Sequence, residues 1–164
     1  MNSWSDAAGR FLHCEFSFNG KLFRVCCVCA PNRNPHRDQF LEDVPDRIEP
    51  SVSTLVLGDF NTVFDRAKDR RHGSDPLDSK RESSARLVAF FDACCIVDIW
   101  RYLNPDSPCF TWARWDGSIA SRIAFVLFLM FGCLLCSPVM LFLVPSLTTV
   151  HFYRSEERRV GKEC

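Results

Sequence analysis

The chain has 164 residues, 47% hydrophobic and 24% charged, and its 20 basic side chains are balanced by 20 acidic ones. This composition excludes a disordered chain and suits one domain with a sizeable core; it also leaves no global field to draw the protein to nucleic acid, so any polyanion contact has to come from a local patch. Ten cysteines would mark a disulfide framework in a secreted chain, but the opening MNSWSDAAGR has no basic region followed by an apolar stretch, so no signal peptide is read and the cysteines are taken as reduced thiols of a core.

Residues 9–32, GRFLHCEFSFNGKLFRVCCVCAPN, are two apolar-alternating runs around Asn19-Gly20, the strongest short-range signal for a β-hairpin, and they stop at Pro31. Cys26, Cys27 and Cys29 fall in the second run. HRDQFLEDVPDRI (36–48) carries Phe40, Leu41, Val44 and Ile48 at helical spacing, with Pro45 to break or kink the helix. STLVL (53–57) predicts a short central strand. DRAKDRRHGSDPLDSKRES (65–83) is polar, contains Gly73 and Pro76, and predicts a surface loop. SARLVAFFDACC (84–95) predicts a helix burying Leu87, Val88, Phe90 and Phe91, and CFTWARWDGSIASRI (109–123) a second hairpin around Asp116-Gly117. Two hairpins with helices favour a mixed sheet over a purely parallel one, hence an α/β fold class. From Ala124 to Val144 no residue is charged, a run long enough for a transmembrane helix. Cys133 and Cys136 inside it have no second Cys or His pair at zinc spacing.

The chemistry concentrates where the predicted central strand ends. In a strand, side chains i and i+2 point the same way, so Asp59 and Asn61 of LVLGDFN can face one site together. A carboxylate there can hold a divalent cation or take a proton from water, and a carboxamide can orient a phosphate oxygen or the attacking water. Asp and Asn are also ordinary turn residues. Thr111 and Trp112 set a hydroxyl beside a broad ring, a phosphate donor and a platform for a base or sugar, or else a β-branched and an aromatic residue packed in a strand.

Together, APN after an apolar strand (30–32), LGDFNTVFD (57–65), DIWRYLNPD (98–106), CFTW (109–112) and SRI (121–123) occur in the order and spacing of the endonuclease/exonuclease/phosphatase superfamily. Residues 4–123 most resemble the endonuclease domain of LINE-type (non-LTR) retrotransposons. The resemblance implies a four-layer sandwich of two mixed β-sheets flanked by helices, only partly present here, and Mg²⁺-dependent phosphodiester cleavage that nicks target DNA before reverse transcription. It carries the catalytic Asp and Asn onto Asp59 and Asn61 and the phosphate-contacting Thr onto Thr111, with Trp112 and Asn32 as further substrate-binding positions and Asp59 as an indirect metal position. The sequence departs from the pattern in four places. The family's amino-terminal strands, with a metal-binding Glu, have no counterpart before Asn2; Cys29 stands where Tyr is expected, Ala124 where Asp is expected, and the terminal Ser-Asp-His is absent.

A frameshift accounts for the last two departures. Reading the codons of the terminal third one base earlier permits Ser, Asp and His at the codons of Leu147, Thr148 and Thr149, and loss of one base from an Asp codon after Ile123 yields an Ala codon. Residues 124–153 are then the out-of-frame remainder of the same domain, and RSEERRVGKEC (154–164) resembles translated sequencing adapter and stands outside the fold. The expectation is a fragment of an ancestral DNA endonuclease, centred on residues 1–123, inactive as written and nuclear or cytoplasmic by family. Two other readings stay open: a small single-pass protein anchored in a membrane through residues 125–144, and a non-catalytic interaction module.

Overall fold

The computed structural model describes residues 2–49, 51–71 and 79–129. The Asn19-Gly20 hairpin forms as expected. Both turn residues take positive φ, 51° and 74°, the primed turn whose twist matches that of the flanking strands. Strand β2 (Phe11–Phe18) pairs antiparallel with β3 (Lys21–Cys29), from Phe11 opposite Val28 to Phe18 opposite Lys21. An edge strand that the sequence did not announce, β1 (Asn2–Ser5), adds to β2; all its residues are exposed, so it carries no alternation to read. Helix α1 (His36–Asp43) ends just before a 3₁₀ turn, Pro45–Arg47, because proline has no N–H to continue the ladder.

Strand β4 (Ser53–Asp59) is interior, parallel to β3 and antiparallel to β9 (Ala124–Leu129); it runs two residues beyond STLVL. Strand β6 (Ile96–Asp98) ends a six-stranded mixed sheet of order β1-β2-β3-β4-β9-β6. A smaller three-stranded sheet combines β5 (Arg70–Arg71), β8 (Ala120–Ser121) and β7 (Trp112–Ala113), the last two being the expected hairpin around Asp116-Gly117. The expected surface loop over 65–83 is corrected at both ends. It contains β5 and a buried Asp69, and helix α2 (Ser79–Ala93) starts five residues before the predicted Ser84. Polar residues buried by long-range ion pairs leave no periodic signal, so the stretch reads as solvent-facing. A short helix α3 (Ile99–Leu103) follows β6, capped by the Asp98 carboxylate, which accepts from the Arg101 N–H at 3.1 Å.

The core lies on one face of the large sheet. Phe11, Cys26, Val28, Val56, Ile96, Phe125, Leu127 and Leu129 point to it, and Phe40, Leu41 and Val44 with Leu87, Phe90 and Phe91 of α2 cover them. Strand alternation puts Leu12, Phe16, Val25, Cys27, Leu55, Leu57 and Val126 on the opposite face. That face is apolar and unevenly covered: Phe23 and Phe128, which the register also places there, are buried, Leu12 and Phe16 are 43% and 40% exposed, and the others are half-buried. Among the described residues the sandwich is therefore present as one helix layer on one large sheet, with the small sheet beside them.

Residues 124–129, the start of the uncharged run, are a sheet strand rather than the start of a helix, since Phe, Val and Leu suit a pleated sheet as well as they suit a bilayer. No described helix is long and apolar enough to cross a membrane, so the expectation of a span over 125–144 finds no support; residues 130–144 lie outside the described residues, as does the segment 154–164. Among the described residues Cys14, Cys26, Cys27, Cys94, Cys95 and Cys109 are free thiols. Burial pushes Cys26 up to about 12 and Cys94 to about 11, which makes them inert interior groups.

Candidate functional site

Strands β3 and β4 are parallel neighbours, so their chains leave the sheet at the same end, and β9 comes in antiparallel there. Cys29, Asp59 and Ala124 are in register across the three strands. Their side chains share one face, on strands about 4.8 Å apart. The result is a row of thiol, carboxylate and methyl on the face of the sheet opposite the helices. Ladder-like bonds continue past the row: the Ala30 N–H donates to the Asp59 carbonyl and the Phe60 N–H to the Ile123 carbonyl, both at 2.8 Å.

Asp59 and Asn61 do meet, but not by strand alternation. The strand ends at Asp59, and Asn61 takes φ 52°, a left-handed conformation that Asn tolerates better than most residues. The turn lets the Asp59 Oδ1 accept the Asn61 N–H at 2.8 Å, while Asn61 Nδ2 donates to the Ala30 carbonyl at 2.7 Å and so fixes the plane of the carboxamide. Thr111 lies beside Ala124. Its hydroxyl oxygen accepts the N–H groups of Ile123 and Ala124, each at 3.0 Å, which occupies both lone pairs and leaves the hydroxyl proton to donate. Trp112, on the next residue, is 40% exposed, and Asn32 is exposed with its carbonyl turned inward to a guanidinium.

That guanidinium belongs to Arg37, which the sequence reading passed over. Arg37 is 7% exposed; Nη1 donates to the carbonyls of Asn32 (2.8 Å) and Asn61 (3.1 Å), and Nε and Nη2 donate to Ser83 Oγ at 3.3 and 3.0 Å. Ser83 in turn donates to Asp38 Oδ1 at 2.5 Å. Burial lowers the guanidinium's pKa, and the Asp38 carboxylate opposes that. A signal existed, since position 37 lies on the same helical stripe as Phe40, Leu41 and Val44 and is thus directed inward.

A second buried cluster joins DIW to SRI. Arg122, 2% exposed, pairs with Asp98 and reaches Asp69 Oδ1 at 3.4 Å, while Arg101 Nη2 reaches the same Asp69 oxygen at 2.6 Å. The Arg122 guanidinium lies 4.6 Å from the Phe125 ring centroid and 5.2 Å from that of Trp100. Two of the motifs thus serve to lock the β8–β9 connection, and with it Thr111 and Ala124, against α3.

Magnesium takes oxygen ligands. In the row at the strand ends Asp59 is the only carboxylate, flanked by a thiol and a methyl, and among the described residues no group of three or more His, Cys, Asp or Glu could hold a metal ion. The donors described do not fit a magnesium site.

No family model matches the sequence. The chain is 33% identical over 132 residues to the transposon TX1 uncharacterized 149 kDa protein of Xenopus laevis, a match covering 75% of this chain and 9% of that protein's length. Among solved structures it resembles an AP endonuclease from Archaeoglobus fulgidus (TM-score 0.59, 14% identity, 75% of this chain and 53% of the other). It also resembles the 3′ phosphatase NExo from Neisseria bound to product DNA hairpin (TM-score 0.50, 20% identity, 82% of this chain and 55% of the other). The chain thus shares the α/β fold of these nuclease and phosphatase structures, and by sequence it is similar to a transposon protein.

Proposed function

We propose that the chain is a segment of the DNA endonuclease of a LINE-type retrotransposon, contributing Asp59, Asn61 and Thr111 to a site for phosphodiester hydrolysis. The observation that carries the reading is the convergence of these three side chains at one end of the large sheet, each held by named hydrogen bonds. In this reading the Asp59 carboxylate takes a proton from the attacking water. The Asn61 carboxamide, its plane fixed on Ala30, orients that water or a phosphoryl oxygen, and the Thr111 proton donates to a phosphate oxygen. Trp112 offers its exposed ring to a base or sugar, and Asn32 lines the approach. DNA is the ancestral partner in this proposal, in keeping with the DNA hairpin named for the Neisseria phosphatase.

Magnesium would stabilise charge on the phosphoryl oxygens, but Cys29 and Ala124 give it no carboxylate or phenol beside Asp59. The chain as written is therefore proposed to be inactive, with residues 124–153 an out-of-frame remainder and 154–164 an appended segment. The test is nicking of supercoiled plasmid in Mg²⁺. The chain as written should leave the plasmid intact. A repaired version, with the shifted frame restored after Ile123 and the amino-terminal strands of a related element placed before Asn2, should nick it. In the repaired version Asp59→Ala should cost on the order of a hundredfold, the scale of losing a preorganised transition-state contact. Undiminished nicking by that variant overturns the assignment.

A further inference from the structure

We propose that Arg37 is a positioning residue for the Asp59–Asn61 site, holding the segment after β3 and the turn after β4 in fixed register through one guanidinium nitrogen. The word "site" rests on the function proposed above; the tie itself rests on geometry alone. Past Cys29 and Asp59 the strand pairing ends after one further bond, from the Ala30 N–H to the Asp59 carbonyl. Arg37 Nη1 spans the gap, giving one N–H to the Asn32 carbonyl and one to the Asn61 carbonyl. Its other edge is clamped from a third element, because Nε and Nη2 both donate to Ser83 of α2. Three elements therefore converge on one planar, rigid fork that is 7% exposed.

The Asn61 contact matters most. Asn61 holds φ 52°, a left-handed conformation that Asn tolerates and that three hydrogen bonds fix here. Its N–H is tied to Asp59, its side chain to Ala30, and its carbonyl to Arg37. With the last tie cut, the peptide after Asn61 loses its anchor, and the bonds to Asp59 and Ala30 alone hold the turn. The bonds from Arg37 go to the Asn32 and Asn61 carbonyls and to Ser83, not to the Asp59 or Asn61 side chain. Arg37 acts through the backbone that carries the second of these.

A lysine keeps the charge but offers a single point of donors, which cannot reach both carbonyls and Ser83 together. The test is residue-resolved amide hydrogen exchange on the full chain. In Arg37→Lys the Asn61 amide should exchange roughly tenfold faster or more, while the Val28 and Val56 amides inside β3 and β4 stay within about twofold of the unaltered chain. Should Arg37→Lys fail to fold, Ser83→Ala removes the anchor but keeps the cation, and should speed exchange at Asn61 to a smaller extent with the same amides unmoved. An unchanged Asn61 amide in whichever variant folds, or equal acceleration along all of β4, overturns the proposal. This outcome is independent of the Asp59→Ala nicking result, so the tie and the function can fail separately.

Discussion

Gly58→Ala should be among the most damaging single-methyl additions to this fold. Gly58 precedes Asp59 in β4 with φ 144°, and a Cβ built there meets backbone only: 1.9 Å from the Val28 carbonyl oxygen and 2.8 Å from the Val28 carbonyl carbon and nitrogen. A φ in this region costs an L-residue about 1–3 kcal/mol, and forcing an extra carbon into a packed site costs about 1–3 kcal/mol more. The lower half of that range, about 3 kcal/mol, is a large share of the 5–15 kcal/mol typical of a domain and lowers Tm by on the order of 10 °C. Gly20→Ala supplies the reference, since Gly20 also has positive φ, 74°, but nothing lies within 4 Å of its Cβ; it should cost only about 1 kcal/mol. Urea unfolding of both variants, followed by tryptophan fluorescence, isolates the contact as their difference. If the two cost the same within about 0.5 kcal/mol, a margin typical of silent substitutions, the close approach of β3 and β4 is refuted.

Arg122→Met should destabilise by about 3–5 kcal/mol, because it leaves the Asp98 carboxylate buried beside an apolar side chain; Lys68→Met, whose Asp106 partner is 92% exposed, should stay below about 1 kcal/mol. A similar loss in both, by urea unfolding, would show that burial of the Arg122 cluster is not what gives it weight. The third expectation concerns pH. Burial pushes the Asp6 carboxyl up, but N–H bonds from Phe11 and Arg10 and the Arg47 guanidinium outweigh it and hold the carboxyl below its ordinary value. A folded pKa below the unfolded one, near 3.9, adds stability that is complete above that pH and is lost as pH falls through the folded value. Asp6→Asn should therefore lower Tm at pH 7, and the gap from the unaltered chain should narrow as pH falls through the lowered folded value; a gap that persists undiminished in acid refutes the ion as its source.

Local chemistry made the hairpins legible. Asn19-Gly20 and Asp116-Gly117 announce their own turns, Pro45 announces the end of α1, and the β-branched and aliphatic residues of STLVL announce an interior strand. Asp59 and Asn61 were legible as a pair, although the reason they meet is a left-handed turn and not the period of a strand. What stayed hidden depends on partners far along the chain. Asp69 looks like one more charge in a polar stretch until Arg101 and Arg122 close on it, and Arg37 looks like a surface cation until Asn32, Asn61 and Ser83 accept from it. Strand β9 was obscured in another way: it opens an apolar run that satisfies the length rule for a membrane helix, and only pairing with β4 and β6 shows residues 124–129 to be a sheet strand.

The register of the large sheet sets the core and the proposed site on opposite faces. Cys29, Asp59 and Ala124 are in line with Cys27, Leu57 and Val126, and not on the side that the helices seal. Changes on the helix-covered face therefore reach the row only through the backbones of β3, β4 and β9, which the two faces share.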